Sequence, residues 1–310
     1  MKKRIFKGCA AVLLFTTTAC SQTPSTTASD VQINSANFPD AKFRQYLSEQ
    51  WYGSDGVITS AEFAQITEIN IENLGVADLT GIKRFTALKE VHARHNQIST
   101  LDVSGMKNLT FLLVASNQIS SINVSGLTNL RTLYCSTNQL SSINLSGLTN
   151  LEYLYISANQ FTSIDVSGLS KLIELHLGNN RFVSLNLSNL KNLEHLDLYN
   201  NQLSSIDVSE LKNLQKLYCW YNELTSLNLT GLSKLQELEC DNQSPKLTLA
   251  ASGGNYSVNI TLNNPVGFTT GVSYANGTLT STSNAIKESY FEVQTGYGGA
   301  KLSGIMTFNY

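Results

Sequence analysis

Leucine stands at positions 88, 109, 130, 151, 172, 193, 214 and 235, one every 21 residues, and this period constrains the fold more than any other feature of the chain. Within one unit Leu109, Leu112 and Val114 are followed by Asn117, Ile119, Ile122, Val124 and Leu127. The same slots recur as Leu193, Leu196, Leu198, Asn201, Leu203, Ile206, Val208 and Leu211. The spacing L-x-x-L-x-L sends alternate side chains to opposite faces, as a short strand does. A single such unit cannot bury its own apolar row. Parallel stacking at roughly 4.8 Å per coil builds one continuous core and a parallel sheet. The pattern therefore predicts an α/β-type solenoid with a curved parallel sheet.

Asparagines at 96, 117, 138, 159, 180, 201 and 222 fall where each coil leaves its strand, so their amides are expected to satisfy backbone groups of neighbouring turns. Ser125-Gly126, Ser146-Gly147 and Ser167-Gly168 read as turns on the convex side. From about Ile66 to Leu249 the repeat resembles the leucine-rich-repeat family. The slot holding Cys135, Cys219 and Cys240 is similar to that of cysteine-containing, internalin-like bacterial proteins. The resemblance implies recognition of a protein or peptide partner by the concave sheet.

A solenoid needs both ends covered. Residues 36–65 are expected to form a helical N-terminal cap: Phe38-Pro39-Asp40 opens a segment with Phe43, Tyr46 and Leu47 at helical spacing. A second helix follows from Ser60 towards Ile66, with Thr59 and Glu62 as capping box and Ile58 and Phe63 as staple. After the solenoid at 66–249, residues 250–310 change character. Tyr256, Val258, Ile260 and Leu262, an Asn276-Gly277 hairpin signal, then Met306, Phe308 and Tyr310 predict antiparallel strands. A small C-terminal β-sandwich there resembles the immunoglobulin-like module that follows internalin repeats.

At the other end, residues 1–19 read as an export signal, with Lys2, Lys3, Arg4 and Lys7 ahead of an apolar run from Cys9 to Phe15 that is too short to span a bilayer. Thr17-Thr18-Ala19-Cys20 resembles a bacterial lipobox, which implies lipidation of Cys20 and display on the cell envelope. Ordinary cleavage after Ala19, giving a secreted protein, is the alternative. Residues 20–35, rich in Ser, Thr and Gln, suit a tether.

The chain has 310 residues, 42% of them hydrophobic and 14% charged, a composition that folds. A formal net charge of −2 and the lack of a basic run argue against nucleic acid as a partner. No G-x-S-x-G elbow, H-E-x-x-H pair or phosphate-cradling glycine loop occurs, so a binding protein without cofactor is expected rather than an enzyme. Asp55-Gly56-Val57-Ile58 with Glu62 matches the tail of an EF-hand loop, but its head falls on Trp51 and Gly53, which favours a capping turn. Cys135, Cys219 and Cys240 in inward slots read as buried free thiols.

The outward slots form three columns across successive coils. The first holds Glu90, Phe111, Thr132, Tyr153, Glu174, His195, Lys216 and Glu237; the second His92, Leu113, Tyr134, Tyr155, His176, Asp197, Tyr218 and Glu239; the third Arg94, Ala115, Ser136, Ser157, Gly178, Tyr199, Trp220 and Asp241. Folding alone does not require aromatics there. All four histidines are assigned to this face. Candidate partner-binding residues are Phe111, Leu113, Tyr134, Tyr153, Tyr155, His176, His195, Asp197, Tyr199, Tyr218, Trp220 and Tyr221, with the outward aromatics expected to be solvated and cheap to replace. Glu174, His176, His195 and Asp197 pair with one another, share a zinc ion or, as the third reading, serve catalysis. A glycan ligand is the runner-up to a protein, and a purely structural spacer the third reading.

Overall fold

The computed structural model describes residues 30–229, 231–240 and 243, and beyond them the backbone of strands lying between Lys246 and Asn309. The export segment, Cys20, most of the tether, Asp241, Tyr256, Leu262, Asn276-Gly277 and Tyr310 lie outside the described residues.

Short parallel strands at Glu68–Asn70, Glu90–His92, Phe111–Leu113, Thr132–Tyr134, Tyr153–Tyr155, Glu174–His176, His195–Asp197, Lys216–Tyr218 and Glu237–Glu239 pair each with the next. The register repeats the sequence period: Val91 faces Leu112, Leu112 faces Leu133, and so on to Leu217 opposite Leu238. These central residues are fully buried. A slip of one residue would turn the leucines outward, so burial fixes the register. One continuous apolar cluster runs from Phe38 to Cys240.

At the strand exit the asparagine column does what its position requires. Asn117 accepts the N–H of Ile98, 3.0 Å away on the preceding coil, and its amide nitrogen donates to the carbonyls of Ala93 and Val114. The same set recurs at Asn138, Asn159, Asn180, Asn201 and Asn222. Gln243 takes the next rung, accepting from Leu224 and donating to Cys219. Just before each asparagine the chain turns through a left-handed residue: His95, Ser116, Thr137, Ala158, Asn179, Asn200 and Tyr221 all have φ between 51 and 57°. His95 therefore sits on this turn, exposed, and not in an outward column as its sequence neighbourhood suggested.

On the convex side, Asn123, Asn144, Asp165, Asn186 and Asp207 each accept the N–H of the serine two residues on. A second amide column lies there, with Asn108, Asn129, Asn150, Asn192 and Asn213 donating to carbonyls of the preceding coil.

Helix α1 (Ala41–Glu49) starts at Asp40, whose side chain accepts from Lys42 and Phe43. Its buried Phe43 meets Phe38 edge to face, and Phe38 meets Phe85 of the first coils. The Tyr46 hydroxyl accepts the N–H of Asn70 in the first strand. Helix α2 (Ser60–Phe63) opens with the expected capping box between Thr59 and Glu62, but is a single turn and stops short of Ile66. Val57–Ile58 pairs antiparallel with Val31–Gln32 just before it. The Asp55 carboxylate accepts the N–H of Val57, and Gly56 has φ 82°, so this stretch is a turn whose acids are engaged locally.

Beyond the last coil, Ser257–Ile260 pairs in parallel with Glu237–Glu239, and Lys246–Ser252 pairs in parallel with Ser226–Asn228 and Lys301–Asn309. The antiparallel set expected from the sequence is thus only part of the pattern. Val272–Ala275 pairs antiparallel with Thr278–Ser281, and Glu288–Gln294 with Lys301–Asn309.

Candidate binding face

Every side chain in the three columns is placed by the same two constraints, the inward leucine on either side and the strand on the next coil. Alternate residues of one strand stand about 6.6 Å apart and neighbouring strands about 4.8 Å, so outward side chains touch along the solenoid axis before they touch along a strand. In consequence the face is less solvated than the sequence alone suggested. Phe111, Leu113, Tyr134, Tyr153, Tyr155, His176, His195, Tyr199, Tyr218 and Trp220 are half-buried, and Asp197 is only 9% exposed. Tyr221, at 46%, is the exposed member of the set.

The aromatic rings form two runs. In the first, His92 stacks on Phe111 at 4.9 Å, Phe111 leans on Tyr134 at 5.8 Å, Tyr134 stacks on Tyr155 at 4.2 Å, and Tyr155 on His176 at 4.3 Å. Tyr155 thus has both ring faces covered and donates its hydroxyl to Glu174. Burial and that carboxylate raise its phenol well above the ordinary range. In the second run Tyr199 stacks on Trp220 at 4.7 Å, and Tyr221 tilts against Trp220 at 5.1 Å. The Tyr199 ring lies over Gly178, where a β-carbon would fall 2.1 Å from it, and its hydroxyl accepts from Asn179.

Between the runs lies the polar patch. Glu174 reaches His195 Nδ1 at 3.4 Å and His176 Nε2 at 3.5 Å, while His176 Nδ1 is 3.4 Å from Asp197. The 3.5 Å approach lacks hydrogen-bond geometry, which leaves the buried Nε2 of His176 unbonded. These four residues pair with one another as a polar ladder. Among the described residues, no group of three or more His, Cys, Asp or Glu is arranged to hold a metal ion. At the far end Lys216 pairs with Glu237 at 3.1 Å. Glu237 also accepts the Tyr218 hydroxyl, and those two donors hold its carboxyl below the ordinary value. The three thiols in the inward slot, Cys135, Cys219 and Cys240, are buried and form no disulfide.

The family model described as Leucine Rich repeats (2 copies) matches residues 107–147, 128–171 and 170–211. Residues 107–211 thus match leucine-rich repeats. The chain is also similar to solved structures from Listeria monocytogenes. The functional domain of InlJ, described as including a cysteine ladder, is 18% identical, covers 90% of this chain and 99% of its own, and has a TM-score of 0.43. Internalin C2 is 23% identical over 73% of this chain and 99% of its own, with a TM-score of 0.48. Internalin InlF is 22% identical over 77% and 94%, with a TM-score of 0.36. A comparison with curated proteins finds no match.

Sequence reasoning identified the outward aromatics of the leucine-rich repeats but missed how Gly178 seats one of them. The signal was present: glycine stands in the third column where the next coil carries Tyr199. It also missed the convex amide column, although Asn108, Asn129, Asn150, Asn192 and Asn213 keep the period.

Proposed function

We propose that the concave face of the leucine-rich repeats binds a protein or peptide partner, without catalysis, at the bacterial cell envelope. The observation that carries this reading is the unbroken run of rings from His92 to His176, on a face that the core does not need. Rigid aromatics give large contact area at low entropic cost, as binding anchors do. The same stacking weighs against a glycan as the main ligand. Sugar rings need an open aromatic face, whereas Tyr155 presents its edge between Tyr134 and His176.

On this reading residues 36–65 cap the first coil, supported by the packing of Phe63 on Phe85 at 4.9 Å. Residues 250–310 form a small immunoglobulin-like sandwich, for which strands in two sheets are the support. A lipid on Cys20 holds the protein to the membrane, and 20–35 is its tether. Capture from host and bacterial surface extracts, run beside a glycan array, tests the assignment. A protein retained by the wild-type chain and lost with Tyr134→Ala or Tyr155→Ala is expected. Retention by both variants, or glycan binding alone, would overturn it.

A further inference from the structure

The two aromatic runs are not equivalent. Those in the first have their faces turned to each other, so a ligand meets edges. The second ends in Trp220 and Tyr221, and here several independent features converge. Gly178 removes the side chain that would otherwise lift Tyr199, letting its ring lie down and stack on Trp220. Tyr221 holds a left-handed backbone, φ 51°, which is costly for a large side chain, and keeps its ring 46% exposed beside Trp220. Other coils fill that slot with His, Ser, Thr, Ala or Asn, so the solenoid does not call for a phenol there.

Charge adds a direction. The outward residues of the strands His195–Asp197, Lys216–Tyr218 and Glu237–Glu239 include three carboxylates, Asp197, Glu237 and Glu239, against the single ammonium of Lys216. Asp197 precedes Tyr199 by two residues on one coil and Glu239 stands in register with Tyr218, two residues before Trp220, so these two carboxylates border the second run, whereas Glu237 is held by Lys216. Burial raises the Tyr218 phenol, and the carboxylates of Glu237, Glu239 and Asp197 add to it.

We propose that Tyr199, Trp220 and Tyr221, with Asp197 and Glu239 beside them, form a subsite for a cationic side chain of the protein partner, arginine in preference to lysine. A guanidinium can lie flat on an indole or phenol while its edge donates to carboxylates, which a compact ammonium does less well. The proposal rests on the concave-face reading and adds the chemistry of one contact to it.

The chain has two tryptophans, and Trp51 is 63% exposed at a distant site. In a Trp51→Phe background, Trp220 emission reports the subsite alone. Titration at low salt with blocked tetra-arginine should give a saturable change. Tetra-lysine should bind about 3-fold to 10-fold more weakly, and tetra-glutamate should give no response. Tyr221→Ala and Glu239→Gln should each weaken arginine binding about 3-fold or more, at unchanged melting temperature. An equal response to tetra-glutamate, or arginine binding indifferent to both substitutions, would overturn the subsite. The two readings separate through the captured partner. If Tyr134→Ala abolishes its binding and Tyr221→Ala does not, the concave face stands and the cationic subsite falls.

Discussion

The side-chain oxygen of Asn159 accepts the backbone N–H of Leu140, one coil earlier, at 2.9 Å. Its amide nitrogen donates to the carbonyls of Cys135 and Ile156, each at 3.0 Å, so one side chain stitches two coils. Asn159→Leu adds apolar bulk but strands these groups in a place with little water. It should destabilise the protein by about 1–3 kcal/mol. Urea unfolding checks this, and a neutral or stabilised variant would show that the ladder is decorative.

Asp40 joins α1 to the first coil. One carboxylate oxygen accepts from Lys42 and Phe43, and the other from Ala77 at 2.8 Å and Asp78 at 3.3 Å. Partial burial opposes its ionisation, but these four donors together outweigh it and hold the carboxyl below its ordinary value. A depressed carboxylate stabilises the fold above its unfolded value, near pH 4, and that contribution fades as pH falls through the folded value. Asp40→Asn should therefore cost about 1–2 kcal/mol at pH 7. The gap from wild type should shrink in melts at pH 3; a gap that widens in acid would contradict the linkage.

Burial pushes the Cys135 thiol up to about 12, and Cys219 and Cys240 are buried beside other leucine rungs. All three should resist alkylation at pH 8 in the native protein and react once denaturant is added. Peptide mapping after labelling gives the answer. Rapid native labelling at any of them would mean that the inward slot opens.

How much of this was legible in the sequence follows from what each contact depends on. The inward leucines and the asparagine ladder repeat every 21 residues, so one coil's pattern fixes all, and Leu112 opposite Leu133 could be read directly. The capping box needed only Thr59 and Glu62, four positions within one turn. The outward face was read correctly as aromatic but wrongly as solvated, because mutual covering of Tyr134, Tyr155 and His176 is a contact between coils that no single unit contains. His95 was misplaced for a related reason: the chain turns left-handed at that residue, and its neighbours give no glycine to announce it. The parallel joins of Lys246–Ser252 depend on strands far apart in sequence, which the local alternation does not encode.

Anchoring through Cys20 has its own test. Labelled fatty acid should enter the wild-type protein in a bacterial host and be absent from Cys20→Ala, which should leave the membrane fraction. Equal labelling of both would remove the lipid anchor and favour secretion after cleavage at Ala19.

The sharpest contrast lies between inward and outward aromatics of the same coils. Phe161 and Phe182 are fully buried, with parallel rings 6.3 Å apart, and replacing either by Ala should cost about 3–5 kcal/mol. Such variants should lose partner binding only in proportion to unfolding. Tyr134, Tyr155, Tyr218 and Trp220 face outward, and from sequence each seemed replaceable at negligible cost. Their stacking, and the hydroxyl bonds of Tyr155 to Glu174 and Tyr218 to Glu237, raise that to about 0.5–1.5 kcal/mol. Tyr155→Phe keeps the stack and drops only the hydroxyl, so it should fall at the lower end. Binding should move the other way. At least one outward alanine should weaken the captured partner by about 2 kcal/mol, because anchors concentrate energy in few residues. Paired thermal melts and titrations on all six alanine variants measure both quantities. Normal binding by the four outward variants, with loss on a convex change such as Asn123→Ala, would place the interface on the opposite side of the solenoid.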